Sequence, residues 1–521
     1  MTTQTASFVL YSDENWLVVD KPHGIPTHGG DAGDTGAQEW LSLHFSFKTF
    51  VCSRLDKGTS GILLFAKTPA ASAAAERIHT EESALKTYYF LSDKDARHKH
   101  GEHWVCSQPL DGKNARSEIF FDRQIGPGVF RYRAQISRGR MHQIRRHAAM
   151  SGCPLLGDGQ YGGSASQRIA LHCAELRWPE IDGVIRSPLP ATFSEETHRH
   201  GAIFFECMAA AERRGDWMSS VSNCWRAVQR GEISAFDVSV DVYAAHALVW
   251  VYDETDFIDL QKKLEPFLLH LQNKFSVSGT VYRRIAKNPH KKGLIQEILT
   301  HGVAPEQQFV VWEHDWRAQV TLTMRQHVGL FLDHRDNRRR VQLQARGKRV
   351  ANLFSYTCAF GIAAAAAGCE VVMNVDASAG TLNIGKQNFA LNELSEARSG
   401  KFIEKDVRLW LERQIRRRAE GDDAGWDIIV CDPPTFSSTQ DGGVFHVGHE
   451  WMELAASCAR ILKRDGVCYF STNCQANEKS SFEKALQSVF ATVQRLRAPM
   501  DFPEVAGRAH AHFFECRDPL A

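Results

Sequence analysis

The chain has 521 residues, 43% apolar and 24% charged, with a formal net charge of +1. That length predicts two or three domains, and the near-neutral balance excludes a generally cationic nucleic-acid binder, so any RNA footprint has to be local. No apolar run approaches the roughly 20 residues of a membrane span, the opening MTTQTASF has no signal-peptide core, and thirteen cysteines without a C-x-x-C pair point to reduced core thiols in a cytoplasmic protein that binds no metal.

The first informative segments are LVVDKPHGIPTH (residues 17–28) and SRLDKGTSGILLFAKT (residues 53–68). In the second, an Arg-Leu-Asp triplet stands before a Gly-flanked turn and an apolar strand, which presents Asp56 at a strand edge. Arg54 and Lys57 can keep that carboxylate ionised, and Thr59, Ser60 and two glycines let a polynucleotide backbone approach closely. A surface Asp capping a turn would show the same triplet. Lys86 and Tyr88 come next, followed by GRMHQIRRHAAMSGCPLLGDGQYGG (residues 139–163), which holds Arg140, His142 and Arg145.

These four ordered motifs resemble the RluA-type pseudouridine synthases over residues 8–179. The resemblance implies an α+β catalytic domain with a mixed, largely antiparallel sheet over residues 1–195. It also implies a cofactor-free reaction in which a uridine's glycosidic bond is broken, the base turns, and it is rejoined through carbon 5. Carried over residue by residue, Asp56 is the essential carboxylate acting at the sugar, Arg145 pairs with it, and Tyr88 helps to remove the C5 proton. Arg54 fills the stack left by a flipped-out uridine, while Arg140 and His142 meet the substrate. Ser53 stands where the family has His and Met141 where it has Thr, which we read as changes of fit or target.

Residues 196–223 read as a linker or bridging helix, and the His198/His200 pair lacks the third clustered ligand a metal site needs. Residues 224–318 read as a small α+β domain for RNA binding. Two alternating runs meet at Ala244 and Ala245, and a helix follows with Phe257, Leu260, Leu264, Phe267 and Leu271 on one face and a kink expected at Pro266. Basic clusters occur at Arg138, Arg140, Arg145 and Arg146, at Arg283, Arg284, Lys287, Lys291 and Lys292, and at Arg338 to Arg340 with Arg346, Lys348 and Arg349. They are candidates for the local RNA footprint.

From residue 348, KRVANLFSYTCAFGIAAAAAG reads as strand, small-residue turn and Ala-rich helix, and EVVMNVD as a second strand ending at Asp376. An acid at that strand tip is where an α/β sheet binds ribose hydroxyls. Asp406 precedes an amphipathic helix, and WDIIVCDPPTFSS reads as a buried parallel strand ending in Asp432, Pro433 and Pro434. With GLFLDHRDNRR upstream, the pattern resembles the class I S-adenosylmethionine-dependent 23S rRNA methyltransferases of the RlmK/RlmI group, and implies a Rossmann-like α/β domain over residues 319–521. The resemblance assigns Asp333, Arg335, Asn352, Phe354, Tyr356, Thr357, Asp376, Asp406 and Asp432 to the cofactor. Asp432 also serves catalysis, and Pro433, Pro434, Phe436 and Asn473 face the target base. Thr357, Cys358 and Ala359 replace the Gly-x-Gly of many relatives, leaving backbone amides for the cofactor's methionine tail.

Guanine N7 has a free lone pair, whereas cytosine C5 must first be activated by a cysteine adding to C6. Cys431 lies inside a buried strand, and Ser471, Thr472 and Asn473 match the Ser-Asn-Asn wording of the RlmK branch better than the RlmI branch's Ser-Cys-Ser; Cys474 is the remaining candidate. The expectation is a bifunctional enzyme that makes pseudouridine and methylates a base, favoured guanine N7, in 23S rRNA. The alternatives are methylation at cytosine C5, an assembly factor with one inactive module, and a tRNA target for the synthase.

Overall fold

Strand Ser60–Ala66 is buried along its whole length, as expected of an apolar run with neighbours on both sides. It is central in a ten-stranded sheet whose main path runs Val9–Ser12, Trp16–Lys21, Ser60–Ala66, Leu171–Arg177, Leu85–Ser92, Val129–Ile136, Ser117–Gly126 and His103–Cys106. One junction is parallel, Ser60–Ala66 beside Leu171–Arg177; the other pairings are antiparallel. At that junction Gly61 takes φ 106°, and a Cβ there would stand 2.2 Å from the Cys173 carbonyl oxygen, so only glycine lets the strands close. This computed structural model describes residues 6–29, 35–285, 295–323, 328–394, 400–421, 425–434, 436–438, 444–472, 479–505 and 511–520.

Contacts divide the chain into two units, Met1–Ser220 with Ala227–Ser239 and Glu254–Ser276, and Val221–Arg226 with Val240–Asp253 and Val277–Ala521. Residues 196–220, read in the sequence as a linker, form short helices within the first unit, the longest being Ala202–Glu212. Helix Phe257–Phe275 also groups there, apart from the strands that flank it in sequence. Its buried residues are Phe257, Leu260, Leu264, Phe267 and Leu271, the stripe its spacing predicts, and the helix continues through Pro266.

The second unit is built on a seven-stranded sheet in the order Gly400–Glu404, Val371–Asp376, Arg349–Leu353, Trp426–Cys431, Leu462–Thr472, His512–Pro519, Phe490–Leu496. The first five run parallel, and His512–Pro519 lies antiparallel between the last two neighbours. Apolar cores cover both faces, which is why the central strands read as continuous hydrophobic runs. Parallel strands bring their carboxyl ends to one edge, and that edge carries Phe354, Asp376 and Asp432. No helix among the described residues is long and apolar enough to cross a membrane.

Candidate active sites

In the first unit Asp56 stands in the loop just before Ser60–Ala66 and lines an open cleft. The loop is pinned from residues 17–28: the Thr27 hydroxyl accepts from the Leu55 N–H and donates to the Leu55 carbonyl, both at 3.0 Å. Lys21, fully buried, donates to the carbonyls of Pro22 and Ile25 at 2.9 and 2.7 Å and so holds the turn that delivers Thr27. Residues 53–59 are thus a loop that lines the cleft, and residues 17–28 are its anchor.

Arg145 rises from helix Gln143–Met150 with its side chain 6% exposed. Its Nη1 donates to Asp56 Oδ2 at 3.2 Å, while Nε and Nη2 pair with the two oxygens of Asp158 at 2.7 and 2.8 Å. Burial alone would lower the guanidinium's pKa, but Asp158 and Asp56 outweigh it and hold the charge more firmly than usual. One cation therefore bridges two carboxylates: Asp158 fixes its fork, Nη1 is given to Asp56, and Nη2 also reaches Gln160 Oε1 at 3.2 Å. His142 precedes the helix in a left-handed conformation, φ 54°. Its Nε2 lies 3.7 Å from Asp56 Oδ2, and its Nδ1 is 2.9 Å from the Tyr161 hydroxyl.

Tyr88 and Lys86, with Arg54, Arg140, Ser53 and Met141, line the same cleft, so the structure brings together the nominated residues of the first unit. Burial, with Cys173 adjacent, pushes the Tyr88 phenol well above its ordinary value, and the ring keeps its proton at neutral pH. Arg54 and Met141 are exposed, whereas Arg140 is partly engaged through Nε on the Asn114 carbonyl at 3.2 Å. Asp158 was missed in the sequence reading, although the Gly-Asp-x-x-Tyr-Gly wording was its signal.

In the second unit, strand Arg349–Leu353 runs into a loop where Phe354, Tyr356 and Cys358 take φ 54°, 48° and 65°. Left-handed backbone costs a non-glycine residue roughly 1–2 kcal/mol, and three such residues within five replace the absent Gly-x-Gly. Neighbours hold the strain: the Tyr356 N–H donates to Asp376 Oδ2 at 2.8 Å, the Thr357 hydroxyl to the Gly329 carbonyl at 2.6 Å, and Asn388 Nδ2 to the Thr357 carbonyl at 3.3 Å. Asp376 Oδ1 accepts from the Ser378 N–H at 2.9 Å, and burial raises this carboxyl above its usual range despite these bonds. Asn352 donates to Asn374 at 2.9 Å beneath the loop. A Cβ on Gly361 would stand 2.1 Å from Asn374 Oδ1. Gly361→Ala is therefore expected to cost about 1–3 kcal/mol through overpacking and to weaken cofactor binding, checked by thermal melting and titration calorimetry with S-adenosylmethionine.

Asp432 follows strand Trp426–Cys431, next to buried Pro433 and exposed Pro434. His334 Nε2 lies 3.2 Å from Asp432 Oδ2, and the Ser471 hydroxyl donates to Oδ1. Burial would raise the carboxyl, but the charge and hydrogen bond of His334, then Ser471 and Arg338, hold it below its usual range. Asn352, Phe354, Tyr356, Thr357 and Asp432 line one cleft with His334 and Phe331, which the sequence reading had not assigned, and with Arg338, read there as part of a basic cluster.

Four nominated cofactor residues do not line that cleft. Arg335 is fully buried and turned the other way: Nη1 donates to Asp501 Oδ1 at 2.8 Å and Nη2 to the Cys224 carbonyl at 2.7 Å. Asp406 caps helix Val407–Ala419 and pairs with Arg408 at 2.8 Å, Asp376 spends its oxygens on the Tyr356 and Ser378 N–H groups, and Asp333 lies on the turn Leu332–His334. Two basic clusters also change meaning. Arg283, Arg284 and Arg338 are buried; Arg283 lies 5.1 Å from the centre of the Trp250 ring, and Arg338 forks onto Glu313 at 2.9 and 2.6 Å. Arg338 thus neutralises an interior carboxylate, and Arg283 and Arg284 are turned inward, while Arg346 and Lys348 of the third cluster stay exposed. Lys287, Lys291, Lys292, Asn473 and Cys474 lie outside the described residues, as does the side chain of Phe436.

A largely antiparallel sheet with an Arg-held Asp, followed by a parallel sheet with an Asp-Pro-Pro corner, defines a chain of two enzyme domains. The RNA pseudouridylate synthase family matches residues 15–150, and the S-adenosylmethionine-dependent methyltransferase family matches residues 296–514. Ribosomal RNA large subunit methyltransferase K of Neisseria meningitidis serogroup B is 32% identical over 256 residues, 48% of this chain and 70% of that protein. Ribosomal RNA large subunit methyltransferase K/L of Psychrobacter cryohalolentis is 32% identical over 251 residues, 47% of this chain and 31% of that protein. A solved chain, human RNA pseudouridylate synthase domain containing 1, aligns at 23% identity over 36% of this chain and 84% of its own, with a TM-score of 0.31. The chain belongs to the ribosomal RNA large subunit methyltransferase K family, and carries an RNA pseudouridylate synthase domain ahead of its methyltransferase domain. It spans only about a third of the length of the K/L relative.

Proposed function

We propose that the protein isomerises a uridine to pseudouridine and methylates guanine N7, both in large-subunit ribosomal RNA. The observation that carries the first activity is the Arg145 bridge: with Oδ2 of Asp56 anchored by a guanidinium that Asp158 locks in place, Oδ1 is left to act at the sugar. Arg54, exposed at the cleft, is suited to replace the flipped base in its stack. Burial keeps the Tyr88 phenol protonated, so the help expected of it in removing the C5 proton comes from placing the base and the proton's acceptor, not from a phenolate.

For the second activity, S-adenosylmethionine supplies a methyl group on a sulfonium, which an in-line nucleophile removes. The donor set suits it: Asn352 and the braced loop at residues 354–358 offer backbone and amide groups, and Asp432 offers a carboxylate at the same cleft. The protein's part is positioning and exclusion of water. Guanine N7 is favoured because its lone pair needs no activation, while Cys431, beside Asp432, is fully buried with its thiol pushed well above the usual range, unsuited to attack as a thiolate.

Mass-spectrometric mapping of 23S rRNA from a deletion strain, complemented by wild type, Asp56→Ala and Asp432→Ala, tests this reading. Asp56→Ala should remove one pseudouridine and keep one 7-methylguanosine; Asp432→Ala should do the reverse. A 5-methylcytidine dependent on Asp432 would overturn the base choice. Modifications indifferent to both carboxylates would overturn both assignments.

A further inference from the structure

We propose that His334 is the positioning residue of the methyltransferase site, a clamped imidazole that holds Asp432 at a fixed angle toward the target base. This rests on the reading of Asp432 as the base-facing carboxylate. His334 closes the short turn Leu332–His334 and is 6% exposed. Phe360 and Phe513 meet its ring edge-on, with centroids 5.3 and 4.8 Å away and interplanar angles of 76° and 73°. The ring is thus clamped on two sides, with Nε2 directed at Asp432 Oδ2, 3.2 Å away. Ser471 holds the other oxygen of the carboxylate, so both Oδ atoms are bound and its plane is set. Nδ1 is buried without a hydrogen-bond partner. Asp432 is therefore the group that orients the imidazole, and the imidazole in turn orients Asp432.

The charged groups facing His334 are Asp432, Asp333 on its own turn, and Arg338 from helix Arg335–Gln344; Phe360 and Phe513 bring only rings and Ser471 a neutral hydroxyl. Arg338 is itself engaged bidentately by Glu313, so the two carboxylates prevail. Burial favours the neutral ring, yet Asp432 and Asp333 lift its pKa above the ordinary histidine value. The sign follows: the ion pair is complete below the ordinary value and is lost as pH rises through the raised one. Above that point Asp432 loses its cationic partner, and methyl transfer should slow.

Single-turnover methylation of rRNA from the deletion strain, followed with labelled S-adenosylmethionine across the neutral to alkaline range, reads this directly. The wild type should show an alkaline fall in rate. His334→Gln, which keeps a donor but cannot titrate, should abolish that fall while staying within about tenfold of the wild-type plateau. His334→Leu should lose roughly 10²-fold in rate, with pseudouridine formation unchanged. An alkaline fall that persists in His334→Gln, or a His334→Leu variant at wild-type rate, overturns the proposal. If Asp432→Ala also methylates normally, the assignment of Asp432 itself has failed; if Asp432→Ala is inactive, only the role of His334 has.

Discussion

Replacing Arg145 with Met is expected to abolish pseudouridine formation and to cost about 3–5 kcal/mol of stability in the first unit, the penalty of removing one partner from a buried ion pair. Asp158 is 1% exposed and both its oxygens rest on this guanidinium, so the substitution strands a buried carboxylate. It also frees Asp56, which lies 89 residues away in sequence and depends on Nη1 for its placement. Arg145→Lys should be nearly as inactive, since a single ammonium cannot satisfy the two oxygens of Asp158 and still reach Asp56. The stability loss is read by urea unfolding, and the activity by pseudouridine mapping. Adding Asp158→Asn to Arg145→Met should restore much of the stability and none of the activity. Recovery of both would mean that Arg145 serves the fold alone.

Arg335→Met is expected to cost a similar 3–5 kcal/mol in the second unit. Arg335 and Asp501 are both 0% exposed and pair at 2.8 Å, while Asp501 Oδ2 accepts from the Arg226 N–H at 3.0 Å. The cluster ties residues 224–226, helix Arg335–Gln344 and Asp501 together, and without the guanidinium Asp501 is an unpaired interior charge. The transition to follow is that of the methyltransferase unit, because two units need not unfold together. The pair Arg335→Met and Asp501→Leu removes both charges and should regain most of the stability, with S-adenosylmethionine affinity close to wild type. Calorimetry distinguishes this from a direct contact: if the stabilised double variant still fails to bind, Arg335 touches the cofactor after all.

Much of both sites was legible because the residues that carry chemistry stand in short ordered runs. Asp56 follows Arg54 and Leu55, Arg145 closes a Gln-Ile-Arg run, and Asp432 precedes two prolines, each on a segment whose periodicity also predicts its element. The helix Phe257–Phe275 buries the five residues its spacing selects. Less legible were the partners. Asp158 and His334 stand inside the informative runs GDGQYGG and GLFLDHRDNRR, but nothing local says that Asp158 forks Arg145 or that His334 faces Asp432.

What the sequence alone determined, then, is the order of two domains, the strand and helix types along them, and the carboxylates at their loop ends, since these depend on period and turn chemistry within a few residues. Only the tertiary structure decided which charges are interior. Arg335 meets Asp501 across 166 positions, and Arg338 meets Glu313 across 25, so a residue that read as a cofactor contact and one that read as part of an RNA-facing cluster are instead neutralised inside the fold. A charge is stable in a low-dielectric interior only with a partner at hydrogen-bonding distance, and that partner is chosen by how distant segments pack, which no local pattern records.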